Sequence, residues 1–105
     1  MREPDLDGRV ALVTGSAKGV GAGLTESLAA CGADVAVHYN TSDEAAREVA
    51  EAVDDDGVRT TVVEGDVTDP DAVDDLFASV EADLGSVDVL VNNVGAFAPS
   101  HWADI

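Results

Sequence analysis

Four short runs rich in apolar and β-branched residues, each separated from the next by one segment of helical spacing, constrain this chain most. Val10-Ala11-Leu12-Val13, Val35-Ala36-Val37-His38-Tyr39, Thr60-Thr61-Val62-Val63 and Val87-Asp88-Val89-Leu90-Val91 read as strands. The unbroken apolar character of the first fits a strand buried on both faces. Between the runs, Val20, Leu24, Leu28 and Cys31 recur at helical spacing, with Gly32 placed as a C-terminal cap. Thr41 and Glu44 form a capping box ahead of Ala45, Val49, Ala52 and Val53 on one helix face. Asp69-Pro70 supplies an N-cap and a first-turn proline for a helix burying Val73, Leu76, Phe77, Val80 and Leu84, which Gly85 ends. Ser100 is placed to cap one further helix. Strands joined by single helices need right-handed crossovers, so the sheet is parallel. The expectation is a doubly wound α/β fold with strand order 3-2-1-4, one domain over residues 1–105.

Charge narrows the function. Twenty-two Asp plus Glu oppose five Lys plus Arg, a net charge of −17. Duplex nucleic acid and anionic membrane surfaces both need a basic face, so neither is an expected partner. No apolar run approaches a bilayer span, and no basic-then-apolar signal opens the chain. The lone Cys31 excludes an internal disulfide and a cysteine metal cluster, and reads as a small core residue. No other cluster has metal-ligand spacing. A soluble, cytoplasmic domain is expected. The carboxylates fall on outward faces and turns, such as Asp54-Asp55-Asp56, and resemble the surfaces of proteins adapted to concentrated salt. A nucleic-acid mimic or cation buffer would not need so ordered an apolar pattern.

The chemistry begins at Val13-Thr14-Gly15-Ser16-Ala17-Lys18-Gly19-Val20-Gly21, between the first strand and the first helix. Glycines there allow a tight turn, close approach of a pyrophosphate and close helix packing, while the helix start favours negative charge. The spacing is neither G-x-G-x-x-G nor that of a nucleoside-triphosphate P-loop. Two more stretches follow strands three and four: Asp66-Val67 and Asn92-Asn93-Val94-Gly95. Together with Thr14-Gly15-x-x-x-Gly19-x-Gly21, these resemble the motifs of the short-chain dehydrogenase/reductase family, across nearly the whole chain. Val94 departs from the alanine usual in that family.

The resemblance implies a Rossmann-type dinucleotide-binding domain. Gly15, Ser16, Ala17, Lys18, Gly19, Val20 and Gly21 would hold the pyrophosphate and adenine ribose. Tyr39 and Asn40 would lie on the adenosine side. Asp66 would accept from the adenine amino group and the Val67 N–H would serve a ring nitrogen, while Asn93 and Gly95 would line the cleft. Plainer roles stand beside these: Asp66 as a turn or capping carboxylate with Thr68 and Asp69, and Asn92-Asn93 as a clamp between strands. The second strand ends in His38-Tyr39-Asn40-Thr41-Ser42, with no acid before Asp43 to repel a 2′-phosphate. Asp34 lies at the opposite end of that strand. With Lys18 in the loop, NADP is favoured over NAD. His38 reads as packed or solvated, and His101 and Trp102 as the start of a surface helix.

The family's proton transfer uses a tyrosine followed four positions later by a lysine, whose charge lowers the tyrosine pKa. The one tyrosine is Tyr39, position 43 is Asp43, and the only lysine is Lys18. No catalytic residue is therefore assigned, and the chain alone is not expected to turn over. The plainest expectation is the cofactor-binding part of a longer oxidoreductase, truncated after the fourth strand. Its resemblance implies carbonyl or alcohol substrates, of the oxoacyl reductase or sugar dehydrogenase kind, and a homo-oligomer when complete. The alternative is a noncatalytic nucleotide-binding or interaction module.

Overall fold

The computed structural model describes residues 6–16, 19–41, 43–54 and 57–93. The elements alternate as expected: β1 (Val10–Val13), α1 (Gly19–Ala30), β2 (Asp34–Tyr39), α2 (Asp43–Asp54), β3 (Thr60–Glu64), α3 (Pro70–Leu84) and β4 (Val89–Val91). All neighbouring strands pair in parallel, in the order β3-β2-β1-β4. This is the doubly wound arrangement read from the sequence. Ser100 and the helix expected from it lie outside the described residues.

Strand alternation distributes the core between two faces. Val10 and Leu12 of β1, Ala36 of β2 and Val63 of β3 pack against Leu76, Val80 and Leu84 of α3. On the opposite face Ala11 and Val35 meet Ala29 and Ala33 near the end of α1 and Val53 of α2, while Val37 meets Ala46 and Val49. The α3 cap is built as expected. Asp69 accepts from the Asp71 N–H, Pro70 occupies the first turn, and the Gly85 N–H closes on the Glu81 carbonyl. The Leu76 side chain is central to its face, and truncation to alanine in such a place costs about 2–5 kcal/mol.

Four details differ from the sequence reading. The inner row of α1 is Gly21, Thr25 and Ala29, whereas Val20 and Leu24 are 72% and 37% exposed. The helix approaches the end of β1 so closely that only small residues fit on that row, so the larger apolar ones turn outward. Cys31 follows the end of α1 in a turn and is half-buried, not a core residue. On α2 the row is Ala46, Val49 and Val53, with Ala52 exposed. Strand β4 begins only at Val89, because Asp88 uses its N–H on the Val10 carbonyl and its carboxylate on the Val10 N–H.

Among the described residues no helix is long and apolar enough to cross a membrane. Nor do any of them place three His, Cys, Asp or Glu side chains to hold a metal ion.

Candidate functional site

Parallel pairing brings the carboxyl ends of all four strands to one edge, where open α/β sheets present their clefts. Beyond β1 the chain turns through Thr14, Gly15 and Ser16 before α1 starts at Gly19. Gly15 has φ of 65°, a left-handed conformation that disfavours any side chain. The turn is fastened to β2 at one residue. The Gly15 N–H donates to His38 Nδ1 at 2.8 Å, and the Ser16 N–H donates to the His38 carbonyl at 3.1 Å. In return the His38 N–H donates to Ser16 Oγ at 2.7 Å. His38 Nε2 lies 2.7 Å from the Gly65 carbonyl, just past β3. Ser16 and His38 are 0% and 1% exposed, so these bonds lack competition from water. Burial pulls the His38 pKa below its ordinary value, opposed in part by the Gly65 bond.

A second fastening joins the turn to the end of β4. The Thr14 N–H donates to the Val91 carbonyl, and Thr14 Oγ1 accepts from the Asn93 N–H at 2.9 Å. Asn93 Nδ2 donates to the Gly15 carbonyl at 3.3 Å. The first turn of α1 sits directly on this junction. A Cβ at Gly21 would lie 2.3 Å from the Gly15 carbonyl oxygen and 2.6 Å from Asn93 Nδ2. No residue larger than glycine fits there without moving backbone. Asn92 Nδ2 is buried with no hydrogen-bond partner among the described residues. Asn92 Oδ1 lies 3.4 Å from the Thr14 hydroxyl, so both residues of the expected Asn92-Asn93 clamp reach the turn after β1.

Beyond β3, Asp66 is exposed and its Oδ1 accepts from both the N–H and the hydroxyl of Thr68, at 2.9 and 2.6 Å. Those two bonds, the side-chain one first, hold the carboxyl below its ordinary range, so Asp66 stays charged at neutral pH. Its Oδ2 takes no hydrogen bond from the described residues, leaving one acceptor facing outward. At the end of β2, Tyr39 is half-buried and Asn40 exposed. Desolvation, then the carboxylates of Asp43 and Glu64, push the Tyr39 hydroxyl above its ordinary pKa. Asp43 is itself paired with Arg47 at 2.9 Å.

The edge therefore assembles Gly15, Ser16, Gly19, Val20, Gly21, Tyr39, Asn40, Asp66, Val67 and Asn93 around the strand ends. Ala17, Lys18, Val94, Gly95, His101 and Trp102 lie outside the described residues. His38 thus engages the Gly15 and Ser16 amides. The Gly19, Val20 and Gly21 amides find no acceptor among the described residues. Acids occupy the first turns of α2 (Asp43, Glu44) and α3 (Asp71), but none the first turn of α1. A helix start without its own acid is the kind of end that favours an anion. His38, read from the sequence as packed or solvated, is packed, and its two ring bonds are what sequence reasoning did not foresee. Its signal was an ionisable side chain inside an apolar strand, two positions from core Ala36 and so on the same face.

Comparison with known proteins bears on the family and the fold. The profile of the family described as short chain dehydrogenase matches residues 9–105. The chain is 38% identical over 100 residues to versicolorin reductase 1 of Aspergillus parasiticus, covering 95% of this chain and 38% of that protein. A short chain dehydrogenase from Burkholderia cenocepacia J2315, solved in complex with NADP, superposes with a TM-score of 0.82 at 42% identity, covering 89% of this chain and 38% of that one. A blue fluorescent protein from a metagenomic library, solved in complex with NADPH, gives a TM-score of 0.83 at 38% identity, covering 90% and 39%. The chain thus spans a little over a third of the length of these relatives.

Proposed function

Because the chain belongs to the short-chain dehydrogenase/reductase family, we propose that these residues form the NADP(H)-binding part of an oxidoreductase acting on carbonyl or alcohol substrates. One observation carries the reading. The first turn of α1 is packed onto the Gly15–Asn93 junction at the sheet's carboxyl edge, has no acid of its own, and its amides find no acceptor among the described residues. A pyrophosphate is the anion that such a glycine-lined helix start accommodates.

Each residue then has a task. Gly15 and Ser16 hold the turn in shape through β2, while the Gly19, Val20 and Gly21 amides, with Ala17 and Lys18, face the pyrophosphate and ribose. Asp66 offers Oδ2 to the adenine amino group, fixed by its two bonds to Thr68, and the Val67 N–H serves a ring nitrogen. Tyr39 and Asn40 flank the adenosine, and Asn93 and Gly95 line the cleft toward the nicotinamide. The bound cofactor supplies or accepts the hydride. Proton transfer to the substrate oxygen is not assigned to any residue here, since no tyrosine is followed four positions on by lysine. Oxoacyl and sugar substrates, and homo-oligomeric assembly, belong to the same proposal for a protein of the relatives' length.

Titrating the chain with NADPH and NADH at fixed salt tests the cofactor assignment. Tighter binding of NADPH, with the preference lost in Lys18→Ala, is expected. Equal affinities or an NADH preference would contradict it. Steady NADPH oxidation by this chain over a panel of small ketones would show that a proton donor had been missed, and the control is His101→Ala.

A further inference from the structure

We propose that His38 is the positioning residue of this dinucleotide site: as a neutral imidazole with its proton on Nε2, it ties the Gly15 turn to Gly65 beside Asp66, and taking up a second proton loosens the bound dinucleotide. The inference deepens the cofactor assignment above and rests on it.

The partners dictate the tautomer. A backbone N–H only donates, so Nδ1, 2.8 Å from the Gly15 nitrogen, must present its lone pair. A carbonyl only accepts, so Nε2, 2.7 Å from the Gly65 oxygen, must carry the proton. A single tautomer satisfies both, and it bridges the two places proposed to hold opposite ends of the ADP moiety. The bridge has little freedom. His38 is 1% exposed, its backbone N–H and carbonyl are both fastened to Ser16, and it pairs opposite Val63 in the sheet.

An imidazolium would turn Nδ1 into a donor facing the Gly15 N–H, at a residue only 1% exposed. Since the strand holds His38 in place, the turn is what must give. Gly15 is the residue on which Gly21 and Asn93 are packed, so its displacement carries into the start of α1. Glu64 and Asp66 flank Gly65 on β3 and its exit, and Asp69, Asp71, Asp74 and Asp75 lie on the early turns of α3 or just before it. Tyr39 and Asp34 share the strand, and the described residues from Val10 to Ser16 carry no ionisable side chain. The carboxylates favour the imidazolium but are exposed or sit at the far end of β2, and burial of the ring works against it. The transition therefore falls below the ordinary histidine value.

Two substitutions separate the two bonds. His38→Asn can set an amide oxygen near the Nδ1 position and still accept from Gly15, without titrating. His38→Gln can reach Gly65 but leaves the Gly15 N–H without its acceptor. NADPH is titrated against wild type and both variants at pH 7.5 and 5.5, with folding followed by circular dichroism. At pH 7.5 His38→Asn is expected to bind within about threefold of wild type, and His38→Gln about tenfold more weakly, as for a buried donor left unsatisfied. The 2′-phosphate of NADPH titrates near pH 6 itself, so the readout is the difference between proteins: wild type is expected to lose about tenfold more affinity than His38→Asn on acidification. In the free wild-type chain, the 15N shift of Nδ1 should report an unprotonated acceptor at neutral pH. The Gly15 amide should move with the imidazole's titration midpoint. Wild-type binding with parallel pH profiles in all three proteins, or a proton on Nδ1, overturns the role of His38 alone. Absence of binding of either dinucleotide by wild type at pH 7.5 overturns the cofactor assignment and this inference with it.

Discussion

The same strands begin and end in opposite chemistries. At their amino ends the fastenings engage charged side chains, exposed except at Asp34, whose side chain is 14% exposed. Asp34 holds the Arg59 guanidinium at 2.9 Å and its backbone N–H at 2.8 Å, and Arg59 also donates to the Leu84 carbonyl. Arg9 approaches Asp88 at 3.9 Å, and the Thr61 hydroxyl donates to Asp83 at 2.6 Å. At the carboxyl ends Thr14, Gly15, Ser16, His38, Gly65 and Asn93 are joined by bonds between uncharged groups, with Ser16 and His38 fully enclosed. Exposed ion pairs are cheap to make and to lose, because water and salt share their partners. Buried neutral bonds are costly to leave unmade. A site that must offer a helix dipole to an anion gains from the second kind, since a fixed carboxylate inside the turn would cancel the field it presents.

Substitutions at the two ends should differ accordingly. Gly21→Ala is the largest expected perturbation. Its Cβ meets the Gly15 carbonyl at 2.3 Å, so backbone must shift, costing ~3 kcal/mol of stability and removing measurable NADPH binding. Denaturant unfolding and a dinucleotide titration check both. Ser16→Ala leaves the buried His38 N–H without its acceptor and should cost about 1–3 kcal/mol. Arg59→Ala, at the other end, should cost only about 0.2–1 kcal/mol, with NADPH affinity unchanged. A Ser16→Ala chain as stable as wild type, or an Arg59→Ala chain that no longer binds, would break the contrast.

Acid sharpens it. With its folded pKa held below the ordinary 6.5, His38 takes its proton more readily in the unfolded chain. Its contribution is complete above about pH 6.5 and declines as pH falls through the folded value. The slope of stability against pH in that window should be shallower in His38→Asn, as urea midpoints between pH 7.5 and 5.5 would show. Asp66 has the ordinary carboxylate behaviour. Its contribution is present above its unfolded value of 3.8 and lost as pH falls through its lowered folded value, outside the histidine window.

Salt gives the smallest effect per residue. With a net charge of −17, the melting temperature should rise between dilute and molar potassium chloride, as the Debye length shrinks from ~10 Å at 0.1 M to ~3 Å at 1 M. The deficit of Arg59→Ala should narrow over the same range, while that of Ser16→Ala should not. A flat melting temperature would remove the salt-adapted reading of the acidic surface.

What was legible in the sequence follows the same division. The Asp69-Pro70 cap was readable because it is written in one short turn, and strand order and crossovers because unbroken strand–helix alternation admits few topologies. The inner face of α1 was not, because its nearness to Gly15 is tertiary: the hydrophobic period pointed to Val20 and Leu24, and a steric limit selected Gly21, Thr25 and Ala29. The motif glycines, Asp66 and Asn93 were named from motifs that resemble the family's and follow strands, and the structure sets them at the carboxyl edge of the sheet. The ring bonds of His38 were not foreseen because its two partners are backbone groups 23 and 27 residues away, and backbone groups leave no mark in a sequence.

The most direct test is a map of which amides respond to cofactor. In 1H–15N spectra of the chain, saturating NADPH should move Gly19, Val20, Gly21, Asp66, Val67 and Asn93 at the carboxyl edge. Asp34, Arg59, Leu84 and Asp88 at the amino edge should stay in place. Shifts confined to the amino edge, or no saturable shift at any amide, would contradict a dinucleotide site at the carboxyl ends of these strands.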